Sequence, residues 1–111
     1  MSASFDLKKS ADGQFYFVLH AADGATLLRS ETYTTLASAR NGIESVRKNA
    51  GTETRYAFEK SANGKSYFNL KAANGQVIGT SPLFADPNAA QHAAETVRHH
   101  ASAAQEKTVS G

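Results

Sequence analysis

From Phe5 to Ser30 apolar and polar residues alternate, and after Leu36 the period changes. Phe5 and Leu7 flank Asp6. Phe15, Phe17 and Leu19 share one phase, and Tyr16, Val18 and His20 share the other. A period of two predicts half-buried strands. A third strand is expected over residues 25–30, with Leu27 on the inner phase. Asp12-Gly13 and Asp23-Gly24 separate these segments. Asp-Gly between alternating segments predicts two-residue type I′ hairpins, whose central residues both need positive φ. Leu36, Ala39, Ile43, Val46 and Ala50 then recur at helical spacing. Thr34 or Thr35 is the expected N-cap, and Gly51 the expected terminator. Gly42 lies inside this helix, where glycine costs about 1 kcal/mol against alanine. It predicts a close backbone approach rather than a ligand.

The same pattern occurs twice. Displaced by 51 residues, Lys9-Ser10-Ala11-Asp12-Gly13 falls on Lys60-Ser61-Ala62-Asn63-Gly64, and Tyr16-Phe17 falls on Tyr67-Phe68. Ala21-Ala22-Asp23-Gly24 falls on Ala72-Ala73-Asn74-Gly75, Ser30 on Ser81, and Tyr33 on Phe84. Ala39, Glu44, Val46, Arg47 and Ala50 meet Ala90, Glu95, Val97, Arg98 and Ala101 without a gap. The second set of inner positions is Tyr56, Phe58, Phe68, Leu70 and Ile78, with Ser66 in place of Phe15. The second helix has Asp86 as N-cap, Pro87 at its first position and the small stripe Ala90, Ala94, Val97, Ala101. These elements predict an α+β domain over 1–111. It comprises two β-β-β-α repeats, about 4–51 and 55–102, that share an antiparallel sheet with both helices on one face. The last segment, 103–111, reads as a tail.

Composition narrows the function little. The chain has 111 residues, 41% of them hydrophobic and 20% charged, with a net charge of +2. No cysteine is present, so disulfides and thiolate metal sites are excluded. No signal-like layout and no membrane-spanning apolar run is visible, so a cytoplasmic protein is expected. A monomer is expected as well, since the duplication supplies an internal pseudo-dimer.

Two groups of residues invite chemistry. The outer phase of the central strands carries Tyr16, Val18, His20, Tyr67, Asn69 and Lys71, with Lys8 and Leu28 as candidate neighbours. Ordinary cross-strand packing accounts for such a set. An open face with tyrosines also suits a protein partner, and stacked bases of single-stranded nucleic acid come third. The second helix offers His92, Glu95 and His99, with His100 adjacent. These are metal-ligand types. Asn41, Glu44 and Lys48 occupy the matching places in the first helix, which favours a solvated polar face over a metal site or a small enzyme. Arg40–Glu44 and Glu44–Lys48 have the spacing of helix-supporting pairs. No phosphate loop and no hydrolytic triad is visible, and no cofactor is implied.

The stretch from Phe5 to Gly24, followed by Asn41-Gly42-Ile43-Glu44-Ser45-Val46-Arg47-Lys48-Asn49-Ala50, resembles the YegP-like family of small bacterial and archaeal proteins. The resemblance runs from Phe5 to about Ala101. It implies a tandem β(3)-α-β unit whose copies share one sheet and exchange their last strands, which would make Glu106–Val109 a strand. The family is of unknown function, so no site residues carry over. The expected function is a non-enzymatic interaction module.

Overall fold

The computed structural model describes residues 3–108. Strands β1 (Ser4–Lys9), β2 (Phe15–His20) and β3 (Thr26–Arg29) precede helix α1 (Leu36–Asn49). The order recurs as β4 (Tyr56–Lys60), β5 (Ser66–Lys71), β6 (Val77–Thr80) and α2 (Pro87–His100), and the chain ends in β7 (Gln105–Thr108). All seven strands form one sheet in the order β4-β5-β6-β3-β2-β1-β7. The two halves meet at the antiparallel register pair Arg29↔Thr80, between β3 and β6.

β7 corrects the expected tail at 103–111 and agrees with the strand that the family resemblance implies; Val109 lies outside the described residues. It runs parallel to β1, so the sheet is mixed rather than wholly antiparallel. Main-chain and arginine contacts hold it. Gln105 N–H donates to the Ala3 carbonyl at 3.3 Å, and Arg47 Nη2 donates to the Ala104 carbonyl at 2.7 Å. Arg40 Nε lies 3.4 Å from Glu106 Oε2. Arg40 therefore serves β7, and Glu44 pairs with Arg47; neither joins the i,i+4 pairs that the sequence suggests.

The turns also differ from type I′. Only the glycines take positive φ, from 82° at Gly64 to 91° at Gly24. Gly13 N–H bonds to the Ser10 carbonyl and Ser10 N–H to the Gln14 carbonyl. This is a type I turn closed by a left-handed glycine. Asp23 and Asn74 are favoured for their side chains, which accept from the amides of Ala25 and Gln76, both at 3.0 Å.

The inner face follows the alternation. Phe5, Leu7, Phe17, Leu19, Phe68 and Leu70 are buried against Ile43 and Val46 of α1 and Val97 of α2. The register slips between Leu19 and His20, so Leu28 rather than Leu27 opposes Leu19. Leu28 is thus fully buried on the inner face, not a neighbour of the outer set. The same slip in the second half places Gly79 opposite Leu70. A Cβ on Gly79 would lie 2.6 Å from Leu28 Cγ, so glycine there makes room for leucine across the junction of the halves.

Thr35 and Asp86 are the helix N-caps, accepting from Ser38 N at 3.1 Å and Ala89 N at 2.8 Å. Gly51 does not adopt the left-handed C-cap conformation. α1 instead ends at Asn49, whose carbonyl accepts from Thr52 N–H and whose Oδ1 accepts from Arg55 Nε. Gly42 marks a close approach, as expected: a Cβ there would lie 2.5 Å from the Tyr33 hydroxyl.

Candidate functional site

With the helices on the inner face, no element among the described residues covers the other face of the sheet. Register assigns its residues. Asp6 opposes Val18, Lys8 opposes Tyr16, and Glu59 opposes Tyr67. Arg29 opposes Val18, and Thr80 opposes Asn69. Tyr16, His20, Tyr67, Asn69 and Lys71 are half-buried on this face, and Val18 is buried beneath its neighbours. Tyr16 and Tyr67 occupy β2 and β5, with β3 and β6 between them.

Each half fixes its polar groups differently. In the first, the Arg29 guanidinium carbon lies 4.6 Å from the centroid of the Tyr16 ring. His20 Nε2 lies 3.2 Å from Asp6 Oδ2, and its Nδ1 is 3.3 Å from the Gly24 carbonyl oxygen. In the second, Thr80 Oγ1 donates to Asn69 Oδ1 at 2.7 Å. Between the halves lies a cleft of about 370 Å³ lined by Thr26, Arg29, Glu31, Thr80 and Pro82. It sits where one register pair joins β3 to β6. Arg29 is the outer-face residue that plain alternation misses, because the slip at Leu19/His20 changes its phase. The signal is local: Leu27-Leu28 is an apolar doublet in a strand that otherwise alternates.

The serines are structural. Ser30 Oγ accepts from Phe17 N–H at 2.9 Å and donates to the Glu31 carbonyl at 2.8 Å. Ser81 repeats this with Phe68 and Pro82, both at 2.9 Å.

The residues proposed as metal ligands do not converge. His92, Glu95 and His99 are all exposed on α2. His92 lines a cleft of about 560 Å³ beside Phe84, Ala93 and the β2–β3 turn, whereas Glu95 lines a different cleft beside Tyr56 and Arg98. Among the described residues no three histidine, aspartate or glutamate side chains gather as a metal site would need. None of the described helices is long and apolar enough to cross a membrane.

The geometry defines a class first: a duplicated α+β protein with one helix-covered and one open sheet face. The chain belongs to the family described as a domain of unknown function, DUF1508, whose model matches it twice, over residues 10–56 and 61–107. The matches start 51 residues apart (61 − 10), the displacement seen in the sequence. The UPF0339 protein YegP of Shigella flexneri is 55% identical over 85 residues, 77% of each chain. A UPF0339 protein of Acinetobacter baylyi is 43% identical over 111 residues, the whole of both chains. Solution structures of yegP from E. coli and of a UPF0339 protein from Shewanella oneidensis match with TM-scores of 0.93 and 0.92, each at 44% identity. The alignments cover 100% and 99% of this chain, and 96% and 93% of the two relatives. These relatives are uncharacterised, and nothing in them points to catalysis or metal binding.

Proposed function

We propose that the protein is a cytoplasmic, non-enzymatic interaction module that docks a protein partner on its open sheet face. The observation that carries this reading is the pair Tyr16–Arg29 beside the cleft between the two halves. Tyrosine and arginine are the side chains that interfaces concentrate at their energetic centres. A half-buried tyrosine braced by a guanidinium loses little freedom on binding. Asn69 and Thr80 supply a polar rim on the far side.

A phosphate backbone suits this face less well. Asp6 and Glu59 stand on it among the basic residues, opposite Val18 and Tyr67. Protein docking therefore predicts binding with a shallow salt dependence, whereas a nucleic acid would give a steep one.

The test compares the wild-type chain with the double variant Tyr16→Ser/Arg29→Ser as bait, after circular dichroism has shown both folded. A partner retained by the wild type at 0.3 M salt, where the Debye length is roughly 6 Å and exposed charges are largely screened, should be lost by the variant. Undiminished capture by the variant contradicts the reading.

A further inference from the structure

The two edges of the sheet differ. β7 closes one of them with the sequence Gln105-Glu106-Lys107-Thr108, which carries no apolar residue. β4 forms the other, and among the described residues only β5 pairs with it. β4 is the repeat counterpart of β1, with Tyr56 matching Phe5 and Phe58 matching Leu7. Beside β7, Leu7 is 1% exposed; without such a neighbour, Phe58 is 49% exposed.

Hydrogen-bond parity identifies the free backbone groups on this edge. Ser66 exchanges both main-chain bonds with Phe84. Phe68 accepts from Ser81 N–H and donates to Ser81 Oγ. Both residues therefore point their backbone groups away from β4. Ser66 opposes Lys60, and Phe68 opposes Phe58. Antiparallel alternation then turns the N–H and C=O of Phe58 and Lys60 outward. The Tyr56 carbonyl points outward with them, while its N–H already donates to the Glu53 carbonyl.

We propose that this edge pairs with β4 of a second copy of the chain, antiparallel and centred on Phe58. In that register the two Phe58 residues exchange both main-chain bonds. Each Lys60 N–H meets a Tyr56 carbonyl across the axis. No like charges stand directly opposite each other: Glu59 faces Ala57 and Lys60 faces Tyr56. Each exposed Phe58 ring, packed on Phe68 on its inner side, enters the space beside its mate. Clefts of about 190 and 280 Å³ flank Phe58 there, floored by Ala94 and Ala90 of α2. An isologous contact of this kind closes on itself and stops at a dimer. Natural edges resist such pairing with charges or proline; β7 follows that rule, and the Tyr56-Ala57-Phe58 centre of β4 does not. The dimer would join two seven-stranded sheets and leave the outer face of each free, so this inference stands apart from the docking proposal.

Analytical ultracentrifugation of the full chain from low micromolar to millimolar concentration tests it. The average mass should climb from 11.8 kDa toward twice that value, and Phe58→Lys should weaken association at least tenfold. The matched change on the other edge, Gln105→Lys, should leave association unchanged. Hydrogen exchange on the wild type supplies a readout independent of any variant's folding. The Phe58 and Lys60 amides should gain protection with concentration, while those of Ala57 and Glu59 stay constant. A mass that remains monomeric throughout overturns the proposal and leaves the edge to an unrelated strand. So does association that survives Phe58→Lys or leaves the Phe58 and Lys60 amides unprotected.

Discussion

Tyr33 and Gly42 form a matched pair whose counterparts, Phe84 and Ala93, are matched in the opposite sense. The hydroxyl of Tyr33 occupies the place where a Cβ on residue 42 would stand. Where phenylalanine lacks that hydroxyl, alanine is accepted. Gly42→Ala should therefore destabilise the fold by about 1–2 kcal/mol, an overpacking cost partly offset by better helix propensity. Adding Tyr33→Phe should recover part of the loss in urea denaturation, since ring carbons of Phe17 and of residue 33 also come within 2.9 Å of that Cβ. The half-buried Tyr56 gives a pH prediction. Burial raises its pKa above the ordinary 10.0, against a smaller opposing effect of Arg98, and the hydroxyl donates to the Ala50 carbonyl at 2.7 Å. The stability gained from a raised pKa is complete below pH 10 and is lost as the pH climbs above it, because the unfolded chain ionises first. Urea midpoints measured from pH 8 to 11 should fall less steeply for Tyr56→Phe than for the wild type. At this scale much was legible. Gly42, Asp86, Pro87 and the inner aromatics declare themselves through local chemistry. The Asp-Gly turns were legible as turns but not by type, because side-chain acceptance and left-handed propensity select the same dipeptide.

Among the elements, β7 is the one whose role the residues conceal. Its four residues show no alternation, since the strand is held by the β1 backbone and by Arg40 and Arg47 from α1. Only contacts distant in the sequence make it a strand. Phe5 and Leu7 oppose Leu19 and Phe17, and the Phe17 backbone is committed to Ser30, so the Phe5 and Leu7 amides turn toward β7. Truncation after Ala101 should lower the urea midpoint and speed hydrogen exchange at these two amides far more than at Asp6 and Lys8. Equal protection before and after truncation would show that β7 adds nothing to β1. Ser30→Ala removes the partner of a buried N–H and should cost about 1–3 kcal/mol by chemical denaturation. The register slip at Leu19 was likewise outside the reach of simple periodicity. It moves Leu28 inward and brings Arg29 out beside Tyr16, so part of the candidate surface depends on one irregular step in a hairpin.

For the whole molecule, duplication explains both the closed and the open surfaces. Two repeats bury one face of a shared sheet under two helices. Gly79 in one half admits Leu28 of the other, so the halves are complementary rather than identical. The sequence asymmetry in the helices has a modest structural result: His92, Glu95 and His99 stay apart on the surface of α2. The more consequential asymmetry is on the sheet, where Tyr16 is braced by Arg29 while Tyr67 faces Glu59. This difference was hidden in the sequence because it depends on the pairing of strands. On the proposed function, a protein partner meets the open face and not the helical side. Site-specific photo-crosslinking in cells tests it most directly, with a photoreactive amino acid placed in turn at Tyr16 and at His99. Discrete protein adducts are expected from position 16, disappearing with Arg29→Ser, and none from position 99. Equal adducts from both positions, or adducts from position 99 alone, would contradict it.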